Sequence, residues 1–451
     1  MTFNHRKDGL RFLFLTQYFP PEMGAPQVRL ASLVRELSRL GHRVEIVTAF
    51  PNYPKGAIFP EFRGRLYQRD TWEGLPVHRT WIYPCMGGGL KRILNYLSFA
   101  LTCAWGILRS ARADFVFVES PPLFLSVPGW IASRFWRSKL IFNVADLWPD
   151  SVEQLGIMRD GLFLRLARAL ETWSYRRASY VNAVTRKMKK ILLDQKRVPE
   201  EKVLFLPNGV DTGLFRPMPP DAALAQRLGL QGKRVVLYAG NHGYIAGLEH
   251  ALHAAKILED RNQIHFLFIG GGSEKPRLLE LARELDLQNA TFLDPVPVSE
   301  LPAYMSLASV CLVTLRNCPL SEGARPAKTF VMMASGKPVV LSACGEGTQM
   351  ILESGGGIVV PPGDPQAIAR AVVTLAENAA MAQEMGSKAR RYVEQNFRWR
   401  ELIRNWLTQM QVGSPDAVTG RLAVDGAGNA KVVNLSSART DRMAERVAPD
   451  V

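Results

Sequence analysis

The 451-residue sequence predicts an α/β protein of two doubly wound, Rossmann-like domains, and three observations carry that prediction. An apolar run over residues 11–16 leads through a loop containing Pro and Gly into a helix-period segment at 26–40, which Gly41 stops before a second apolar run at 44–49. The same strand, loop, helix, strand order restarts near residue 235. Between the two halves lies the stretch Pro207-Asn208-Gly209-Val210-Asp211, whose residue types favour a turn. A β-loop-α-β unit returns to a parallel neighbour by a right-handed crossover, and the carboxyl-end loops of such sheets carry ligands.

The elements follow in order. Residues 115–119 and 140–144 read as further buried strands of the first domain. In the second domain, 235–240 and 265–269 read as strands around a helix at 248–259, and the latter strand ends in Gly270-Gly271-Gly272. Shorter strands are expected at 291–293, 310–315, 339–342 and 357–360. An amphipathic stretch at 399–410 closes the ordered part, and its pattern alone lets it pack on either domain. The resulting boundaries are 1–207, 208–397, 398–412 for the last helix, and a tail over 413–451 of small polar residues without periodicity, expected to be disordered.

Composition narrows the function classes. The amino-terminal lead is too short and too charged for a signal peptide, and five scattered cysteines without a CxxC pair point to reduced thiols. Residues 93–108 hold no charge and are flanked by Lys91, Arg92, Arg109 and Arg112. That run is short for a span, which needs about 20 residues; a core helix and an interfacial helix with basic flanks both remain. Net charge is +15, and residues 1–200 carry 30 Lys and Arg against 16 Asp and Glu. The basic half calls for an anionic partner such as a bilayer or a pyrophosphate-bearing acceptor. Dispersed bases without an aromatic stacking motif argue against nucleic acid.

Four stretches carry a resemblance to a known family: residues 17–56 (QYFPPEMGAPQVRLASLVRELSRLGHRVEIVTAFPNYPKG), 143–156 (NVADLWPDSVEQLG), 206–217 (LPNGVDTGLFRP) and 326–347 (PAKTFVMMASGKPVVLSACGEG). Together they resemble the GT-B retaining glycosyltransferases of family 4, and within them the fucosamine-type transferases of bacterial surface polysaccharide. The resemblance implies an amino-terminal acceptor domain, a carboxyl-terminal nucleotide-sugar domain, a cleft between them and a last helix that crosses back to the first. It also implies retention of anomeric configuration and catalysis without a metal or other cofactor; no metal-ligand spacing is visible in the sequence.

Candidate site residues follow from these stretches. Gly24 stands before the first helix, where a bare backbone can approach a diphosphate at a positive helix end, or simply permit a turn. Asn52 and Tyr53 lie in a loop on the expected acceptor side, which a rigid turn would equally explain, and Lys91 and Arg92 flank the uncharged run on the acceptor or membrane side. Asp146 directly follows a buried strand and is expected to orient a sugar hydroxyl or assist acceptor deprotonation; the plainer role is a helix cap. In the second half, Asn241, His242 and Gly243 follow a strand and can cradle phosphate, as can Gly271.

The sequence also departs from the family pattern. The Arg and Lys that many members place here fall on Asn241 and Ala246, and the two glutamates with seven residues between them fall on Gly323 and Val331. Glu322 is the nearest carboxylate and is taken as the second catalytic candidate, while Arg325 and Lys328 are expected to hold the departing diphosphate. The expected activity is transfer of an N-acetylated deoxyhexose from a UDP-sugar to a lipid-diphosphate-linked saccharide, in the cytoplasm on the inner face of the cytoplasmic membrane. A soluble acceptor and a non-catalytic homologue are the rival readings.

Overall fold

The computed structural model describes residues 9–22, 24–53, 56–85, 89–154 and 161–412, together with Leu422–Val424 and Ala430–Val432. The first domain is built on an eight-stranded sheet: β1 (Arg11–Leu15), β2 (Arg43–Ala49), β3 (Tyr67–Trp72), β4 (Leu75–Thr80), β5 (Phe115–Ser120), β6 (Lys139–Val144), β7 (Tyr180–Ala183) and β8 (Val203–Phe205). Its spatial order is β3-β4-β2-β1-β5-β6-β7-β8, parallel throughout except at the edge strand β3. The central strands β1 and β5 are apolar on both faces because helices cover both. One face takes helices Leu90–Arg109, Ser126–Trp136 and Leu162–Arg177 through Phe99, Ala132 and Tyr175. The other takes helix Ala25–Arg39 through Leu30, Leu33 and Leu37.

The second domain carries six parallel strands: β9 (Arg234–Ala239), β10 (Ile264–Ile269), β11 (Ala290–Leu293), β12 (Ala308–Thr314), β13 (Val339–Ser342) and β14 (Gly357–Val360), in the order β11-β10-β9-β12-β13-β14. In both sheets the order reverses beside the first strand of the domain, which opens a crevice at the carboxyl edge.

The last helix, Trp399–Val412, packs on the first domain although it follows the second in sequence. Trp399, Ile403 and Trp406 join the core formed by Phe12, Phe14 and Phe117. A chain of buried polar groups fixes its seat. Arg29 is ion-paired with Glu119 on β5, Asn143 on β6 donates to the same carboxylate (2.8 Å), Asn182 on β7 donates to Asn143 (2.6 Å), and Trp406 Nε1 donates to Asn182 (3.0 Å). Adjacent strands thus pass one hydrogen bond to the next, leaving the buried carboxylate partnered.

Several features differ from the sequence reading. The hairpin β3–β4 turns at Glu73 and Gly74, both with positive φ (49° and 80°), and its outer strand is polar because it is an edge. Within the tail expected to be disordered, Leu422–Val424 pairs antiparallel with Ala430–Val432. The other tail residues lie outside the described residues, as do Leu155 and Gly156 of the second resemblance stretch.

Replacing Trp406 by Ala removes a fully buried indole and leaves Asn182 short of a partner. The expected cost is about 3–5 kcal/mol, read as a lowered unfolding midpoint of the first domain in thermal denaturation.

Candidate functional site

The loops that leave the carboxyl ends of the two sheets carry most of the site candidates. In the second domain, β9 runs into Gly240-Asn241-His242-Gly243 and β10 into Gly270-Gly271-Gly272. The two loops lie against each other: His242 N donates to Gly271 O (2.8 Å) and Glu274 N to His242 O (2.9 Å). Gly270 and Gly272 have φ of +148° and +155°, and a Cβ on either would sit 1.9 Å from Gly240 O or 2.5 Å from His242 O. Only glycine permits that approach.

Lys328, in helix Ala327–Ala334, reaches this loop. Its ammonium donates to the Tyr238 hydroxyl, lies 3.9 Å from that ring's centre, and sits beside Gly240. No carboxylate pairs with it among the described residues, and burial pulls its pKa down to about 7. The His242 ring is fully buried, and neither nitrogen makes a well-formed hydrogen bond within the protein, the Ile269 carbonyl giving only a weak contact. Burial, then the charges of Lys275 and Lys328, lower its pKa to about 4, so at neutral pH it is an uncharged imidazole with an N–H to give. A cation without an anion, next to an unpartnered buried donor behind bare backbone, is an incomplete arrangement that an anionic ligand completes. Tyr238, the side chain under Lys328, escapes sequence reasoning because it reads as one more apolar strand residue.

Arg325 takes different partners from Lys328. Its guanidinium stacks over Phe397 (5.1 Å) and stands 3.6 Å from Glu346. Glu346 in turn accepts from the backbone amides of Arg186 (3.0 Å) and Lys187 (2.9 Å), at the start of helix Arg186–Asp194 of the first domain. This carboxylate at a helix amino terminus ties the second domain to the first. Beside it, Glu322 pairs across the domains with Lys187 (2.8 Å), which lowers its pKa. Glu322 is exposed, so the pair adds little stability. Of the places expected for the missing glutamates, Gly323 lies beside the Lys187 side chain and Val331 packs against the second core.

Helix Pro319–Glu322 touches helix Asp150–Gln154 of the first domain, which brings the Asp146 loop up to the same junction. Asp146 follows β6 and stands four residues ahead of that helix rather than capping it. Ser151 Oγ donates to its carboxylate (3.0 Å), and burial raises its pKa.

On the first-domain side, Gly24 caps helix Ala25–Arg39 with an extended φ of 176°, which any residue adopts; a Cβ there would instead meet Gln27 Oε1 at 2.5 Å. The organising residue is Glu22, which the sequence reading passed over. Its buried carboxylate accepts from the amides of Asn52 (2.7 Å) and Tyr53 (2.8 Å), and burial pushes its pKa up to about 7. Asn52 is buried and turns its amide to Phe50 O (3.0 Å). Tyr53 stacks edge-on against Tyr18 (6.3 Å), whose hydroxyl accepts from Arg92 (2.5 Å), and Arg92 also lies over Tyr96 (4.8 Å). Lys91 is exposed at the start of the same helix and stays outside this cluster. An acid in a Pro-Pro-Glu loop two residues before Gly24 was the available signal for Glu22.

Comparison with known proteins agrees with this geometry. Residues 24–209 match the family described as Glycosyl transferase 4-like domain, and residues 233–378 match Glycosyl transferases group 1. The chain is therefore a glycosyltransferase of the two-domain GT-B type, joining a 4-like domain to a group 1 domain. It is 26% identical over 404 residues to the putative colanic acid biosynthesis glycosyl transferase WcaI of Escherichia coli, covering 87% of this chain and 98% of that one. It is 27% identical over 313 residues to the probable glycosyltransferase WbjE of Pseudomonas aeruginosa, covering 68% and 76%. Among solved structures, Anabaena HepE in complex with UDP-glucose superposes with a TM-score of 0.67 at 19% identity, over 89% of this chain and all of that one. Sucrose-phosphate synthase of Thermosynechococcus elongatus superposes at 0.71 and 19%, over 90% of this chain and all of that one.

Glu346→Ala removes the tie between domains and leaves Arg325 without its carboxylate. The expected result is a larger radius of gyration in small-angle scattering, with the resting equilibrium shifted toward open domains by about fivefold, the equivalent of a lost cap of about 1 kcal/mol. An unchanged profile would show that this contact does not hold the cleft.

Proposed function

We propose that this glycosyltransferase moves an N-acetylated deoxyhexose from a UDP-sugar to a lipid-diphosphate-linked saccharide in bacterial surface polysaccharide synthesis, working in the cytoplasm on the inner face of the cytoplasmic membrane. The observation that carries the donor side is the unpaired Lys328 and the unpartnered His242 at the glycine-lined carboxyl edge of the second sheet. The names of WcaI and WbjE, and the UDP-glucose held by HepE, support the class of reaction and of donor. The excess of bases in the first 200 residues supports an acceptor that carries pyrophosphate at an anionic surface.

In this reading the bond between the anomeric carbon and the diphosphate oxygen breaks, and an acceptor hydroxyl oxygen takes its place with retention of configuration. Lys328 and the His242 N–H meet the charge that develops on the departing diphosphate, so the reaction needs no metal. Asp146, its carboxylate made more basic by burial, orients a hydroxyl or receives the acceptor's proton. Glu22 holds the loop of Asn52 and Tyr53 on the acceptor side.

Lys328→Ala should weaken UDP binding about tenfold or more, the equivalent of losing a charge-assisted hydrogen bond of about 1.5–3 kcal/mol, with an unchanged circular dichroism spectrum; unaltered affinity by calorimetry would remove Lys328 from the donor site. Asp146→Asn should cut turnover by about 10²–10⁴ while UDP binds as before. Transfer assayed with a panel of nucleotide sugars, in EDTA and with added magnesium, should be equal in rate and favour UDP donors; a strict metal requirement or no transfer from any donor would overturn the reading.

A further inference from the structure

Helices Leu90–Arg109, Ser126–Trp136 and Leu162–Arg177 lie side by side on one face of the first sheet, and their outer sides are apolar where solvent-facing helices are normally polar. On the first helix, Leu90, Leu94, Leu97, Leu101, Trp105 and Leu108 are exposed and recur at steps of three and four, forming one stripe along about 30 Å of helix. Val127, Ile131 and Phe135 continue it on the second, and Leu162 and Leu166 on the third. These eleven are most of the seventeen large apolar side chains exposed among the described residues. The inner side of each helix is already used by the core, so among the described residues the stripe has nothing left to pack against. A continuous apolar face of this kind marks an interaction site.

Arginines continue the same stripes. Arg134 stands one turn beyond Ile131, and Arg177 follows Leu166 three turns on in helical register, with Arg176 beside it. With Arg137 these three line a cleft of about 700 Å³, together with Trp130 and three serines. Arg177 lies over the Trp130 ring (5.7 Å), and Trp130 meets Trp173 edge-on (5.4 Å). The negative ends of the two helices favour cations here, but none of the four guanidinium groups has a carboxylate partner among the described residues. Four like charges around one cleft repel unless an anion enters. On the first helix Arg109 stacks over Trp105 (4.3 Å), the pairing of ring and raised cation that suits an interface between hydrocarbon and water. No helix among the described residues is long and apolar enough to cross a membrane.

We infer that the outer face of these three helices is a bilayer-docking surface, whose apolar stripe sinks into the headgroup boundary while the cleft of Arg134, Arg137, Arg176 and Arg177 takes anionic phospholipid headgroups. Charge complementarity selects the occupant: an apolar face ending in unpaired arginines matches an anionic leaflet, and a second copy of this chain would bring arginines against arginines. The amino-terminal end of helix Leu90–Arg109 carries Arg92 against Tyr18 and Tyr53, so docking sets the acceptor-side loop at the lipid surface. The inference rests on the lipid-linked acceptor proposed above and names the surface that would meet the lipid.

The test is flotation of the full chain with vesicles of phosphatidylglycerol or of phosphatidylcholine, without sugar donor. The wild type should float with phosphatidylglycerol and lose binding steeply with salt. Arg134→Ala with Arg176→Ala should bind about 25-fold more weakly, from about fivefold for each base, and Leu101→Glu at least tenfold more weakly. Both variants should keep the wild-type melting temperature and UDP affinity. Equal flotation on phosphatidylcholine, either variant floating as the wild type, or millimolar inorganic phosphate releasing the protein without vesicles of different charge mattering would overturn the inference. So would a dimer in sedimentation that Leu101→Glu dissociates. Failed flotation with sugar transfer intact removes the docking surface alone; loss of UDP binding with flotation intact removes the transferase reading alone.

Discussion

Two parallel sheets can share one ligand only if their carboxyl edges are held face to face, and Glu346 is the group that holds them. Its carboxylate accepts from the first two amides of helix Arg186–Asp194 while keeping Arg325 charged beside Phe397. One acid of the second domain thus answers a helix terminus of the first and a buried cation of its own. The Lys187–Glu322 pair and the contact of helices Pro319–Glu322 and Asp150–Gln154 gather around the same point. The loop of Asp146, which leads into helix Asp150–Gln154, reaches this junction from the first domain.

The crossover helix makes the opposite contribution. Trp399–Val412 belongs by sequence to the second half but is locked into the first by Trp406 and the hydrogen-bonded series Asn182, Asn143 and Glu119. The chain therefore passes between domains twice, once near Val210 and once near Phe397, and the two passages are joined where Val210 N donates to Phe397 O (2.9 Å). A double connection restricts relative motion to a hinge about that line, which is a suitable constraint for a cleft that must admit and release a nucleotide.

The parts legible in the sequence were those whose physics is local. Short apolar runs such as residues 115–118 and 339–341, rich in β-branched and aromatic residues, read as buried parallel strands, and the glycines after β9 and β10 stand where backbone must meet backbone. Edge strand β3 was missed because an edge is polar on its open side, and β7 and β8 because three or four residues carry no period. Lys328 was legible as a base at a loop-to-helix junction, but its isolation from any carboxylate was not. Glu322 and Arg325 look like donor residues beside Lys328 in sequence; their partners, Lys187 and Glu346, lie 135 and 21 residues away, and only the folded chain shows both committed to the junction. Glu22 was illegible for the same reason, since its role is to hold amides thirty residues downstream.

In the proposed donor site a single half-neutral ammonium at the edge of the second sheet receives the diphosphate. Burial lowers the Lys328 pKa to about 7 in the free protein, and a bound diphosphate favours the charged form, so binding is strongest below that pH and must take up a proton above it. The direct measurement is the affinity of the wild-type protein for UDP by calorimetry from pH 7 to pH 9, in buffers of different ionisation enthalpy. Binding should take up a proton and weaken as pH rises, by up to about tenfold per unit; an affinity that stays level over that range, with no proton taken up, would contradict this role of Lys328.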